Sequence, residues 1–409
     1  MAQENRLSRR TALKLLTLPW LAGCLPSRID GTQRFLVVGA GIVGASIAYH
    51  LAKAGASVTV IDKSGPASHA SRGTFAWINA TYTKQPRYYH QLSQDSVAYW
   101  RTLARELSIP VRWGGSLEWF DDQDEQTKLR GLIEEQAKWG EPARMLNGQE
   151  FGTLEPEVNF AGAQQVALSA HDGHVDSVLA TEVLLEQARV LGASTKMPCE
   201  LRALKFNEER VKASTSCGDL AVDRVVLATG AAPDAPSQFA DANIPQRTRP
   251  GIIVITKPAP LVLNHIIVAP GVHVYQRQDG RFVLGEQSGP PDTETHEARL
   301  RLRPKRFPSE ILSNQHAQRI FAIAETYIPA ITEAEVEEVR IGWRPLPLDG
   351  HPVLGPSLQR PNVYLAIMHS GVTLAPIVGK LVAQELLQGP VEQLDQFRPN
   401  RDFQNIKRY

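Results

Sequence analysis

Phe35-Leu36-Val37-Val38-Gly39-Ala40-Gly41-Ile42-Val43-Gly44 is the stretch on which the reading of this chain turns. The first four residues are an apolar run of the length of a buried parallel strand, and the glycines lead directly into a helical pattern that continues to Gly55. Ser57-Val58-Thr59-Val60-Ile61 then reads as a second strand, ending in Asp62. Strand, tight turn, helix and strand make a βαβ unit. Within it Gly39 suits the turn, Gly41 lets a pyrophosphate approach the backbone, and Gly44 lets helix and strand pack closely. The glycine spacing alone is a weak signal; the flanking strand, helix and terminal acid make it a strong one.

The helix start directs free N–H groups at phosphates, and the Asp62 carboxylate suits the two hydroxyls of an adenosine ribose while repelling a 2′-phosphate. The expected ligand is therefore FAD or NAD rather than NADP. With 44 basic and 43 acidic residues, the chain shows no electrostatic footprint for nucleic acid, and a small molecule is the default partner. At 409 residues it has volume for one large or two medium domains.

Three cysteines, Cys24, Cys199 and Cys217, show no metal-ligand spacing, and no metal is expected. A Cys199 to Cys217 bridge stays open if the protein is exported, because the flanking segments read as neighbouring strands. Residues 1–32 look like an address: Ser8-Arg9-Arg10-Thr11 ahead of a short apolar run resembles a twin-arginine export signal, and Leu21-Ala22-Gly23-Cys24 resembles a lipoprotein box with Cys24 acylated. The apolar run is shorter than the roughly 20 residues a membrane span needs. The expected location is the periplasmic side, with a lipid anchor on Cys24. A mitochondrial presequence, or a tail with no address on a cytoplasmic protein, is the alternative.

After Asp62 and Lys63, a small and polar loop contains Ser68 and Ser71, both able to donate to phosphate oxygens. Helices are expected over about Arg87 to Glu106, Gln123 to Trp139, Asp176 or Ser177 to Leu191, and Asn314 to Ile328; the aromatic residues Tyr88, Tyr89, Tyr99 and Trp100 read as core. Val111 to Phe120 reads as a strand and His171 to Asp176 as a turn. Leu201 lies in Glu200 to Phe206, one of several alternating segments, and Arg224 to Ala231 is a buried strand opened at its end by Thr229-Gly230, where backbone can come near a cofactor. Pro250 to Lys257, His273 to Arg277 and Arg281 to Gly285 read as antiparallel strands, the last two joined around Gln278-Asp279-Gly280.

The chain closes on Gly342-Trp343-Arg344-Pro345 through Gly355, a strand Val363 to Ile367, and His369-Ser370-Gly371-Val372-Thr373 leading into an apolar-faced helix with Pro376 in its first turn. Taken with Gly39 through Gly44, Asp62, Ser68, Ser71 and Thr229-Gly230, these motifs are similar to those of the D-amino-acid oxidase superfamily of flavoproteins over about residues 34 to 390. The resemblance implies an α/β fold: a Rossmann-type FAD-binding domain (33–105, 160–235, 338–395) interleaved with an α+β antiparallel-sheet substrate domain (106–159, 236–337). The leader precedes these and a tail, 396–409, follows.

The same resemblance implies FAD held by Gly39, Ala40, Gly41, Ile42, Val43, Gly44, Asp62, Lys63, Ser68, Ser71, Leu201, Thr229, Gly230, His369, Ser370, Gly371, Val372 and Thr373. It implies further that Arg344 grips a substrate carboxylate and that Tyr275 assists as a second donor. This sequence departs from relatives at three points. Gly342 and Trp343 stand where the sarcosine-oxidase branch has its flavin-linking cysteine, so FAD is expected to be noncovalent. Ser370 replaces an arginine of glycine oxidase, and Met368 replaces a glycine, which makes a bulkier wall.

The implied activity is oxidation of the C–N bond of an amino acid or secondary amine, of the D-amino acid or N-substituted glycine type, by hydride transfer to FAD. Oxygen or a membrane quinone would take the electrons. Hydroxy-acid oxidation on the same scaffold, or retention of FAD without turnover, are the rival readings.

Overall fold

The computed structural model describes residues 33–81, 84–207, 210–286 and 303–403. The paired arginines and Cys24 of the expected leader lie outside these residues.

Arg34–Val38 forms the centre of a six-stranded sheet because it is apolar on both faces and its residues from Phe35 to Val37 are almost wholly buried. It pairs in parallel with Ser57–Ile61 on one side and Arg224–Leu227 on the other. The sheet runs Val353–Pro356, Val363–Ile367, Arg224–Leu227, Arg34–Val38, Ser57–Ile61, Ser194–Lys196, and its antiparallel pairing is confined to the first two strands. Helices Ile42–Lys53, Arg87–Glu106, Ser177–Val190 and Gly371–Gln388 cover one face, and an antiparallel meander, residues 201–222, covers the other. The bridge left open by the sequence is formed: Cys199 and Cys217 are joined with their Cα atoms 5.5 Å apart.

Helices Ile42–Lys53 and Gly371–Gln388 approach so closely that a Cβ on Gly379 would lie 2.2 Å from Ser46 Oγ, and Ser46 donates to the Ala375 carbonyl at 2.7 Å. This contact sets the two helix starts side by side.

The second sheet has eight strands, in the order Val336–Pro347, Gln246–Pro258, Arg281–Gly285, Val272–Gln276, Ile266–Ala269, Ser116–Glu118, Gln165–Ser169, Ala143–Asn147. Only Ile266–Ala269 and Ser116–Glu118 pair in parallel. Side chains alternate as the period of two demands. Val254, Val274 and Leu284 pack on helix Glu310–Tyr327, whereas Ile253, Ile255, Tyr275 and Val283 face Phe75 and Trp77 of the nucleotide-binding half.

Several expectations change. Val336–Pro347, which carries the Gly342 to Pro347 motif, pairs with Gln246–Pro258 along nearly its whole length and so belongs to the larger sheet, as does Gln165–Ser169. Neither strand joins the six-stranded sheet, although the first lies mostly within the range 338–395 and the second within 160–235, both expected for the nucleotide domain. Val111 to Phe120 is two strands in two sheets, broken where Gly115 has φ +86° and where a Cβ on Gly114 would lie 2.2 Å from the Asn264 carbonyl oxygen. Gly173–Val175, expected as turn, is a strand held between Trp77–Ile78 and Val111–Trp113. The helix expected from Asn314 starts at Glu310, where Ser309 Oγ accepts from Leu312 N.

Pro376 is the sixth residue of its helix, not a first-turn residue. Its missing N–H deprives the Val372 carbonyl of the usual i to i−4 donor. The Trp100 indole N–H replaces that donor at 2.9 Å, and Ser96 Oγ donates to the adjacent Thr373 carbonyl at 2.6 Å. Trp100→Phe is therefore expected to cost about 1–3 kcal/mol through the unsatisfied carbonyl, measured by urea unfolding; an unchanged midpoint would show that another group meets Val372.

Candidate active site

A cavity of about 930 Å³ runs between the two sheets. Gly39, Gly41, Ile42, Val43, Asp62, Lys63, Ser68, Ser71, Leu201, Thr229 and Gly230 line it, and so do Arg344, His369, Ser370, Gly371, Val372 and Thr373. Ala40 and Gly44 lie behind this surface. Gly39 takes φ +112°, and a Cβ there would lie 2.3 Å from the Ala228 carbonyl oxygen; one on Gly44 would lie 2.0 Å from that of Gly39. The turn can thus be built only from glycine at these two positions.

Asp62 organises the turn as well as facing the cavity. Its carboxylate accepts from Ala40 N at 2.9 Å, Ser64 N at 2.8 Å and Gly65 N at 3.1 Å, which leaves room for one further donor on its roughly four lone-pair sites. Ser71 Oγ accepts from Ile42 N at 3.0 Å, so its own proton remains to donate. Ser68 differs from expectation, because its hydroxyl donates to the Gly65 carbonyl at 2.9 Å and is committed to the loop.

These residues fit an adenine dinucleotide. The N-cap residues of helices Ile42–Lys53 and Gly371–Gln388, Gly41 and Ser370, make no side-chain capping bond, and both helix starts line the cavity. Uncapped helix N-termini present N–H groups and partial positive charge to anions. Thr229 Oγ1 is buried without a partner among the described residues, as a group awaiting a ligand would be.

At the far end Arg344 projects from the strand Val336–Pro347. The neighbouring Gly251 leaves it space, since a Cβ there would stand 3.1 Å from Arg344 Nε. Burial, reinforced by the Arg344 guanidinium, pushes His273 and His369 down to about 3, so both imidazoles are neutral at physiological pH. Glu286 also lines this end; burial pushes its carboxyl up, against the pull of Arg319, to which it is hydrogen-bonded. Lys84 is buried, donates to Ser370 Oγ at 2.7 Å, and is pushed down to about 8 by burial. Ser370 also accepts from Tyr89 OH at 3.1 Å. A lysine thus supplies a cation beside the serine that stands in the arginine position noted in the sequence.

Tyr275 is not on the cavity. It is 1% exposed, stacks on His174 with ring centroids 3.8 Å apart, and meets Phe75 edge-on at 4.8 Å. His273, two residues earlier on the same face of the strand, takes the cavity position. The period of two offers both residues, and only the packing of Phe75 selects between them. Arg249 and Lys84 also line the site unforeseen. Lys84 precedes a helix and carries no local motif; Arg249 needed the strand register.

Burial holds His174 and His273 at about 3, against 6.5 ordinarily. The unfolded chain takes up these protons below about 6.5, while the folded one resists until about 3. The stability this contributes is present above 6.5 and is lost as pH falls toward 3, at up to about 1.4 kcal/mol per pH unit for each histidine. Urea unfolding between pH 6.5 and 4 should show His273→Gln with a shallower slope than wild type by up to one such increment; equal slopes would contradict the burial.

Among known proteins, glycine oxidase of Bacillus licheniformis is 24% identical over 380 residues, spanning 90% of this chain and 96% of its own. An opine oxidase polypeptide of Rhizobium meliloti is 25% identical over 368 residues, spanning 87% and 94%. The crystal structure of glycine oxidase from Geobacillus kaustophilus shares the fold with a TM-score of 0.81 at 23% identity, covering 91% of this chain and 100% of that one. L-proline dehydrogenase from P. horikoshii does so with a TM-score of 0.78 at 22% identity, covering 90% and 96%. The family model for FAD dependent oxidoreductases of the DAO type matches residues 34–385. This chain belongs to that family of FAD-dependent oxidoreductases.

Proposed function

We propose that the protein oxidises the C–N bond of an amino acid or secondary amine with noncovalently held FAD. The observation that carries this reading is the guanidinium of Arg344 in the same cavity as the dinucleotide cradle, flanked by two neutral imidazoles. The names of the similar proteins, which include a glycine oxidase and an opine oxidase, support it.

Arg344 would hold the substrate carboxylate through two parallel hydrogen bonds and so fix the α-carbon in the cavity. Once the ammonium has released a proton to water, FAD, when bound, supplies the acceptor for the hydride leaving that carbon, and the C=N bond so formed is hydrolysed by water to an oxo compound and an amine. Neutral His273 and His369 add no charge to repel an ammonium group on entry, and they present ring nitrogens as hydrogen-bond partners. Lys84 and the start of helix Gly371–Gln388 would supply positive charge and N–H donors to a reduced cofactor held beside them. Gly342, whose Cβ would lie 2.3 Å from the Gly73 carbonyl oxygen, has no room for a cysteine, and Cys199 and Cys217 are joined to each other, which supports noncovalent attachment.

The Cys199–Cys217 bridge supports export as well, since disulfides persist in oxidising compartments. We read residues 1–32 as the export signal and Cys24 as a lipid anchor. A membrane quinone then suits the enzyme better than dissolved oxygen as acceptor.

Arg344→Ala should retain yellow FAD while kcat/KM for an amine substrate falls about 100-fold, the equivalent of about 3 kcal/mol for a lost charged pair of hydrogen bonds. Steady-state kinetics beside the visible spectrum checks this, and unchanged kinetics removes the assigned role. Enzyme bleached anaerobically by substrate should stay bleached when air is admitted and recover with a soluble quinone; rapid return of the yellow colour in air would identify an oxidase instead.

A further inference from the structure

Lys84 is only 5% exposed, and among the described residues no carboxylate pairs with it. Its Nζ donates to Ser370 Oγ at 2.7 Å and stands 5.4 Å from the centroid of the Tyr89 ring. A buried ammonium without a counter-ion is unfavourable, and a lysine so placed gives up its proton readily. Burial lowers Lys84 to about 8, against the opposing pull of Asp172. The groups that bear on it are Tyr89 and His90 of helix Arg87–Glu106, Asp172 of the turn before Gly173–Val175, and His369 and Ser370 ahead of helix Gly371–Gln388. Asp172 is itself buried, accepts from Trp77 Nε1 at 2.8 Å and Ser116 Oγ at 2.7 Å, and is pushed well up by burial, so it brings little negative charge to Lys84.

Ser370 Oγ accepts from Lys84 and, at 3.1 Å, from Tyr89 OH, which fills both its lone pairs, and among the described residues it donates to nothing. Its proton is thus unspent, and Ser370 and Lys84 both line the cavity. Arg344 and Lys84 both act electrostatically on His369, which places them near one imidazole of that cavity. Glu286, the carboxylate at this end, is engaged by Arg319 and lies in the field of Arg344.

We propose that Lys84, acting through Ser370, takes the proton that a substrate ammonium must lose before its carbon can release a hydride. The inference rests on the amine-oxidising reading above and deepens it. When Lys84 is neutral, its Nζ accepts the Ser370 O–H, and the lone pair so vacated on Ser370 Oγ accepts an N–H of the substrate. One substrate N–H bond breaks and one Nζ–H bond forms, while the serine hydroxyl loses one proton and gains another. The electron pair left on the amine nitrogen enters the C=N bond as the hydride leaves. Lys84 carries its charge while the cofactor is reduced, and it returns the proton to water before the next turnover.

The test follows anaerobic bleaching of the holoenzyme by glycine, sarcosine and D-alanine between about pH 6 and 10, in wild type, Lys84→Met, Lys84→Arg and Ser370→Ala. The wild-type rate should rise with pH and level off above about 8. Near about pH 7, Lys84→Met should be about 100-fold slower, and the gap should close toward about pH 10, where the amine arrives already deprotonated. Lys84→Arg keeps the cation but cannot accept a proton, so it should be as slow as Lys84→Met; rescue by arginine would show that charge alone is at work and overturns the proposal. Ser370→Ala leaves the lysine in place and should show the same pH-dependent deficit, and wild-type rates there overturn the relay. A deficit of equal size at every pH, as a merely structural role would give, also overturns it. If none of the three amines bleaches wild type at any pH, the amine-oxidising reading and this role fall together, whereas bleaching with a flat pH profile removes only the role of Lys84.

Discussion

The two halves of the molecule meet at a backbone contact that tolerates no side chain. A Cβ on Gly73 would lie 2.3 Å from Gly342 N, and one on Gly342 would lie 2.3 Å from the Gly73 carbonyl oxygen. Gly73 ends the loop that follows the dinucleotide turn, and Gly342 lies two residues before Arg344. Any larger residue at either place would push the arginine-bearing strand away from the cradle. The distance between the glycine turn and the guanidinium is therefore set by main chain rather than by adjustable side chains, which is how a binding site keeps its geometry.

The electrostatics of the cavity follow from that contact. Two helices packed through Gly379 and Ser46 bring their uncapped starts to one wall, while the strand brings Arg344 to the other. Between them, histidines that would otherwise titrate near physiological pH are kept neutral by burial and by the cation. Lys84 adds a further donor through Ser370. The site thus concentrates fixed positive charge and N–H donors on the walls of one cavity.

Much of this was legible in the chain. The βαβ unit, its glycines and Asp62 appear as a contiguous pattern because each residue answers a local backbone requirement, and the helices from Arg87, Gln123 and Ser177 follow their apolar periodicity. Arg344 and the His369 to Thr373 segment were reached through motif resemblance, and both line the cavity. Tyr275 failed because strand periodicity names a face, not a position along it, and Phe75 covers that part of the face. Ser68 lines the cavity as expected, with its hydroxyl donated to its own turn.

What the sequence by itself determined is the nucleotide-binding half, since the turn, the helix start and the acid lie within 28 consecutive residues, Phe35 to Asp62, and depend on short-range sterics. The tertiary structure alone decided which residues complete the other end. Arg249 meets Arg344 only through pairing between strands about a hundred residues apart, and Lys84 meets Ser370 across a separation of 286 residues. Register and domain docking are cooperative outcomes of packing over the whole chain, and no local window of residues encodes them.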